Sequence, residues 1–350
     1  MNITHIGFND KTVVFLGAGA TRGASFVKDS FGALPPLDRD FFTQAQRMSA
    51  AKPRFLLETL IRDVVGMFGS NFSLTMEGYL TRLEQLSNVL SDYRFRGWQP
   101  ANRFQDMREN FLQVLAALLD EAIRREPKCL YHRRLVEQLS REDVICSLNY
   151  DWLIDYTLMR FAANKWNPKT GYGVYTYSQG RRGAGTRYWA CKDASDQPIF
   201  SWRTIYLLKL HGSMNWFPVP SERNPPRLEL RQRWWHQKGR LKFEIAPPEW
   251  NKPTRSGVYV PVWRKARNSL INAKALIFVG YSLPETDLPV QALLTVERSP
   301  QPLKLLVIVN PDQEARQRIR SVLYRRLDQQ TRILSFDYLR DFYRFLKPAP

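Results

Sequence analysis

The stretch Lys11–Phe26, "KTVVFLGAGATRGASF", decides the fold. Val13, Val14, Phe15 and Leu16 make the short β-branched and aromatic run of a buried parallel strand, and the run breaks off into Gly17-Ala18-Gly19-Ala20. Two glycines one residue apart let the backbone turn tightly and approach a ligand closely, and a helix behind them would aim free N–H groups at a phosphate. The pattern favours a dinucleotide. It fits a hydride-transfer fingerprint poorly, because the third glycine, Gly23, comes one position late and Asp38 lies in "LPPLDRD" rather than at a strand end. A purely structural tight turn stays open as the alternative.

Four further apolar runs have strand character: "DVICSLNYDW" (Asp143–Trp152), "TIYLLKLHGSMNWF" (Thr204–Phe217), "KALIFVGYSLPETD" (Lys274–Asp287) and "KLLVIVNPDQEA" (Lys304–Ala315). Short strands separated by helical segments predict an α/β chain with a Rossmann-like, doubly wound parallel sheet. From about Phe55 to Gln138 apolar residues recur at three- and four-residue spacing, as in "LLETLIRDVVGMF" and "NFLQVLAALLDEAI", which reads as an inserted helical module. The expected organisation is a nucleotide-binding domain from residues 1–42 and 143–350, interrupted by helices over 43–142. Two Gly-, Arg-, Tyr-, Trp- and Pro-rich stretches, near 164–203 and 218–262, read as loops with short hairpins.

The 350 residues suffice for an enzyme, and no apolar run approaches the roughly 20 residues of a membrane span. With no N-terminal basic-then-apolar signal, a soluble, cytoplasmic protein with no membrane partner is expected. Three cysteines, Cys129, Cys146 and Cys191, include no C-x-x-C pair, so neither a disulfide framework nor a four-thiolate zinc site can be built; no metal is expected. The formal charge of +19 leaves two readings, attraction to a polyanion such as nucleic acid or a solvated basic surface. Scattered basic residues favour the second. In "RQRIRSVLYRR" Ile319, Val322 and Leu323 fall at helical spacing, which assigns the arginines to the wet face of a packed helix.

Each predicted strand ends in small or polar residues: Gly17-Ala18-Gly19, Asn149-Tyr150-Asp151, His211-Gly212-Ser213, Gly280-Tyr281-Ser282 and Asn310-Pro311-Asp312. Ligands of such sheets bind beyond the carboxyl ends of the strands, so five endings converge on one crevice. Each also has a plain structural explanation: Asp151 as a helix cap, Pro311 in a first helical turn, His211 as a hydrogen-bonded loop residue.

In this order, "GAGAT", "SLNYD", "KLHGS", "VGYSLPETD" and "VNPD" resemble the motifs of the sirtuin-like (silent-information-regulator) superfamily, and are most similar to its bacterial NAD-consuming branch. The resemblance covers the outline from about residue 11 to 325 and excludes the helical insert and the two loops. It implies that Gly17, Ala18, Gly19 and Thr21 cradle the NAD pyrophosphate and adjoining ribose, and that Gly280, Ser282 and Asn310 line the adenosine half. By the same resemblance Asn149 orients a water or the nicotinamide-side ribose, Asp151 holds the carboxamide, and His211 is the catalytic histidine. The segment around Leu34–Asp40 would be the loop closing over the nucleotide, with Arg22 and Arg39 both open as its arginine.

Breaking the ribose–nicotinamide bond expels a neutral base from a cationic ring, so positioning matters more than a strong acid. An amide can orient water and a neutral imidazole can take its proton, with no metal required. The resemblance therefore implies an NAD glycohydrolase producing nicotinamide and ADP-ribose, or a cyclised product, that serves as an anti-phage defence effector depleting NAD. An NAD-dependent protein deacylase and a non-catalytic NAD or ADP-ribose sensor are the alternatives. Restraint through a homo-oligomer or a defence-system partner docking on the insert is expected.

Overall fold

The computed structural model describes residues 11–27, 32–49, 51–94, 99–123, 127–177, 204–219, 227–230, 243–246, 257–295 and 301–346. "RRG" at Arg181–Gly183 and Cys191 lie outside them. In chain order the elements are β1 (Thr12–Leu16), α1 (Ala18–Arg22), α2 (Phe41–Gln46), α3 (Ala51–Phe68), α4 (Met76–Val89), α5 (Pro100–Ile123), α6 (Leu130–Gln138), β2 (Val144–Ser147), α7 (Leu153–Phe161), α8 (Pro168–Gly171) and β3 (Tyr175–Tyr177). They continue with β4 (Tyr206–Lys209), β5 (Trp216–Val219), β6 (Arg227–Leu230), α9 (Tyr259–Ile271), β7 (Ala275–Val279), α10 (Leu288–Leu294), β8 (Leu305–Val309), α11 (Gln313–Val322), β9 (Arg332–Phe336) and α12 (Leu339–Phe345).

Six strands form one all-parallel sheet in the order β4-β2-β1-β7-β8-β9. Renumbered by their order within this sheet, that is 3-2-1-4-5-6, the doubly wound arrangement in which the chain reverses direction across the sheet beside its first strand. The switch point therefore lies between β1 and β7. All five residues of β1 and of β7 are buried, and Phe15 stacks on Phe278 with ring centroids 4.8 Å apart. β9 was not foreseen: "RILSF" is an edge strand with three of its five residues exposed, so it lacks the apolar run that marks the others.

The pairing is level at the carboxyl edge. Leu16 pairs with Ser147 and Val279, Ser147 with Lys209, and Val279 with Val309. Backbone bonds carry the ladder one residue further, from Leu148 N–H to Leu16, Leu210 to Ser147, Gly17 to Val279 and Gly280 to Val309, all between 2.8 and 3.0 Å. Asn149 and His211 thus stand at equal height, each two residues past the register pair Ser147–Lys209.

The stretches read as loops with hairpins contribute a second, three-stranded sheet, β3-β6-β5. β6 pairs antiparallel with its sequence neighbour β5, the short hairpin pairing expected, and parallel with the distant β3, which was not foreseen. Helices α3, α4 and α5 build a separate apolar core with α2, centred on Phe41, Phe42, Tyr79 and Phe111, whose rings lie 4.6–5.8 Å apart. Thr75 caps α4, its hydroxyl accepting from Gly78 N–H at 3.0 Å. α11 begins at Gln313 with Asp312 as its cap, so Pro311 precedes the helix rather than opening it. Ile319 and Leu323 face the core as the spacing predicts. Arg326 departs from the expected wet face: it is buried, and its guanidinium donates to the carbonyls of Leu270 at 2.9 Å and Ala273 at 2.7 Å. Among the described residues no helix is long and apolar enough to cross a membrane.

Candidate functional site

At the switch point the three glycines of the two turns pack on one another. A Cβ on Gly17 would sit 2.5 Å from the Gly280 carbonyl oxygen, one on Gly19 2.8 Å from Gly280 Cα, and one on Gly280, whose φ is +60°, 2.1 Å from the Ala20 nitrogen. Gly17 N–H donates to the Val279 carbonyl at 3.0 Å and Gly19 N–H to the Gly280 carbonyl at 2.9 Å. Close approach of turn to turn therefore accounts for glycine at all three positions. Ala18, between them, is exposed at the start of α1.

Thr21, one turn into α1, is the hub of a buried relay. Asn149 Nδ2 donates to Thr21 Oγ1 at 3.2 Å, and the Thr21 hydroxyl donates to Asp151 Oδ2 at 2.7 Å. The second carboxylate oxygen of Asp151 accepts at 2.9 Å from the N–H of Leu153, the first residue of α7. Both carboxylate oxygens of Asp151 therefore accept from protein donors, one at Thr21 and one at the start of α7. Asn149 Oδ1 is buried and has no hydrogen-bond partner among the described residues. A buried amide oxygen with nothing donating to it costs about 1–3 kcal/mol, so it marks a place where a ligand or water donor belongs.

His211 arrives from β4. Its ring lies 6.4 Å from that of Tyr150, and its Nε2 lies 3.5 Å from Oδ1 of Asp287. Asp287 is buried and takes a 2.6 Å hydrogen bond from the Tyr281 hydroxyl on its other oxygen. Since β4 and β7 are separated in the sheet by β2 and β1, the segment Gly280–Asp287 arches over two strand ends to reach His211. Its far end is anchored outside the sheet: Thr286 Oγ1 donates to Glu77 Oε2 of α4 at 2.5 Å, and Glu77 N–H donates to Asp38 Oδ1 at 2.9 Å. Hydrogen bonds thus tie the helical insert and the Pro-rich segment to the arch, whose last residue, Asp287, lies 3.5 Å from the histidine. Asp287 escaped the sequence reading, although it closes the "VGYSLPETD" run.

The remaining expected residues divide. Asn310 reaches the edge, but its side chain bonds the Tyr281 carbonyl at 3.0 Å and Asp312 N–H at 3.0 Å, so it fastens the β7 turn to the β8 turn. Ser282 is exposed and its carbonyl accepts from Arg318 at 3.2 Å. Of the two arginines left open, Arg22 holds the Pro-rich segment, donating from Nε to the Pro35 carbonyl at 2.6 Å and pairing with Asp40.

Beneath the relay sits a brace that the sequence concealed. Lys209, the last residue of β4, is fully buried; its Nζ donates to the Asp151 carbonyl and lies 3.2 Å from Asp155 Oδ2, while the Tyr172 hydroxyl bonds Asp155 Oδ1. A second buried pair adjoins it. Cys129 Sγ lies 3.0 Å from His132 Nδ1 and accepts from Ser25 N–H at 3.3 Å. Burial pushes the thiol up, but the His132 charge and the hydrogen bonds to sulfur outweigh it and bring the thiol down to about 6. Burial pulls His132 down, yet the neighbouring thiolate, and further off Asp151, raise it above its ordinary value. Among the described residues no cluster of His, Cys, Asp and Glu could hold a metal ion. Neither the protein-family models nor the curated proteins compared with the chain give a match.

Proposed function

We propose that the chain is an NAD glycohydrolase, releasing nicotinamide and ADP-ribose from NAD at the carboxyl edge of the sheet, and that it serves as a regulated anti-phage defence effector. The observation that carries the reading is Asn149. Its amide nitrogen is fixed on Thr21, its oxygen lacks a donor among the described residues, and it stands level with His211 beside the switch point where doubly wound sheets take dinucleotides. The fit of NAD rests on this amide rather than on the glycines, whose packing explains them without a ligand.

In this scheme Asn149 Oδ1 accepts a hydrogen bond from the attacking water and aims its oxygen at the anomeric carbon. The carbon–nitrogen bond breaks with its electron pair leaving on nicotinamide, and the water's proton passes to His211. Asp287, a buried carboxylate against Nε2, fixes the ring and favours Nδ1 as the face that takes the proton. Asp151 fixes Thr21 and thereby Asn149. The arch from Gly280 to Asp287, tied to α4 through Thr286 and Glu77, supplies a physical route by which partner docking or self-association on the helices could alter turnover.

Nicotinamide release from NAD by the purified full chain, measured with and without an acylated lysine peptide, tests the proposal. Peptide-independent release supports it. Release that requires the peptide indicates a deacylase, and tight NAD or ADP-ribose binding without release indicates a sensor.

A further inference from the structure

At the opposite, amino-terminal edge of the same sheet lies a cavity of about 630 Å³, far from every residue named above as part of the crevice. Its floor is formed by the first residues of three strands, Thr12 of β1, Val144 of β2 and Tyr206 of β4, and one wall by α9. That helix is two-faced. Tyr259, Val262, Ala266 and Leu270 are buried, whereas the neighbouring stripe of Arg264, Lys265, Asn268, Ser269 and Asn272 lines the cavity. Arg264, Asn268 and Asn272 are exposed and Lys265 and Ser269 half-buried, so the wet face of the helix offers two cations, two amides and a hydroxyl to a polar occupant of the cavity.

The charge balance selects the sign of that occupant. Among the described residues Lys11, Arg264 and Lys265 line the cavity against one lining carboxylate, Glu142, and none of the three cations is ion-paired. Asp143, buried with its carboxylate accepting from the Thr12 and Ser140 amides at 2.9 and 2.6 Å, adds a second negative charge behind the rim, and the three lining cations still outnumber the two carboxylates. Lys265 is half-buried with its ammonium 4.1 Å from the centroid of the Tyr206 ring, a cation held at the floor by an aromatic face instead of by an acid. Burial draws its pKa down, as it does for an ammonium short of counter-charge. Glu142 holds φ at +128°, a conformation that a side-chain-bearing residue adopts at a cost, at the rim of the same cavity.

We propose that this cavity is a second binding site, taking a small phosphate monoester. The phosphate would lie among Lys11, Arg264 and Lys265, where charge-assisted hydrogen bonds are strongest. The organic portion would meet Tyr206, Asn268 and Ser269. An ester is favoured over the free ion because the cavity has the volume of sites that enclose whole small molecules, and because amides and a hydroxyl continue the lining beyond the cations.

Isothermal titration of the full chain with ribose 5-phosphate, inorganic phosphate and ribose tests this. Ribose 5-phosphate is expected to bind more tightly than either of the others. Lys265→Gln and Arg264→Gln should each weaken it at least about tenfold, the loss of one charge-assisted contact. Arg340→Gln, an exposed arginine elsewhere, and Asn149→Ala in the crevice should leave binding unchanged. The proposal is overturned by any of three results: no binding of ribose 5-phosphate up to about 10 mM, binding no tighter than that of inorganic phosphate, or equal weakening by Arg340→Gln, which would assign binding to the general +19 field. Loss in Asn149→Ala with none in Lys265→Gln would move the ligand to the crevice and overturn it equally.

Discussion

Replacing Lys209 with Met removes the charge that holds the floor of the crevice while keeping a side chain of similar length. Lys209 and Asp155 are both fully buried, 3.2 Å apart, and the same ammonium donates to the Asp151 carbonyl. Removing one partner of a buried ion pair costs about 3–5 kcal/mol, because the survivor keeps its desolvation penalty without its counter-charge. Here the Tyr172 hydroxyl still donates to Asp155, so the loss should fall near the lower end, about 3 kcal/mol. Against the 5–15 kcal/mol typical of a folded domain this leaves a folded but weakened protein. Urea unfolding followed by tryptophan fluorescence should show that loss. Adding Asp155→Asn to Lys209→Met should recover at least about 1 kcal/mol, since the stranded charge is gone. A loss below about 1 kcal/mol for Lys209→Met, or a double variant no more stable than the single, refutes the brace.

Three further outcomes are expected. Gly280→Ala should destabilise by several kcal/mol, because its Cβ would meet the Ala20 nitrogen at 2.1 Å in a left-handed backbone at φ +60°, whereas Gly66→Ala, where a Cβ meets nothing within 4 Å, should be neutral or stabilising; thermal melting of the two variants decides. The absorbance of the Cys129 thiolate near 240 nm should titrate with a midpoint near pH 6 and move up toward the ordinary thiol range in His132→Ala; since the thiol is depressed from 9.0, its stabilising contribution is complete above that pH and lost as pH falls through about 6, and an unmoved midpoint contradicts the pairing. Asp287→Asn, which keeps an acceptor for Tyr281 but removes the charge facing His211, should lower nicotinamide release about tenfold or more and displace its pH profile; a lower rate with an unmoved profile would reduce Asp287 to a structural anchor.

The parallel sheet was legible because β7 and β8 are apolar along their whole length and β1 and β2 along all but one terminal residue, as suits strands covered on both faces. β9 escaped because an edge strand wets part of its surface, and the β3–β6 pairing because it joins segments some fifty residues apart, from Tyr175 to Arg227, whereas β5 and β6 are the short hairpin pair that was expected. Asn149 and His211 could be placed at one edge from strand endings alone, since register follows from length and pattern. Lys209 could not be read as buried: a lysine at the end of "YLLK" looks like a residue leaving the sheet for water, and its partner Asp155 lies some fifty residues earlier, in α7. The mutual packing of Gly17, Gly19 and Gly280 is likewise a tertiary fact, and it recasts a phosphate-loop signature as a turn-on-turn contact. Arg326 followed the periodicity to the wrong face because it lies past the end of α11, where the helical spacing no longer applies.

The central claim is tested most directly by nicotinamide release and thermal melting measured together on Asn149→Ala and His211→Ala. Both positions lie beyond the strands at the crevice, and Asn149 contributes to the fold through one side-chain donation to Thr21. The account predicts that each variant melts close to the parent and releases nicotinamide at least about 10²-fold more slowly, the lower bound for removing a positioned proton acceptor or orienting group. Well-folded variants that both release nicotinamide at the parental rate would contradict it.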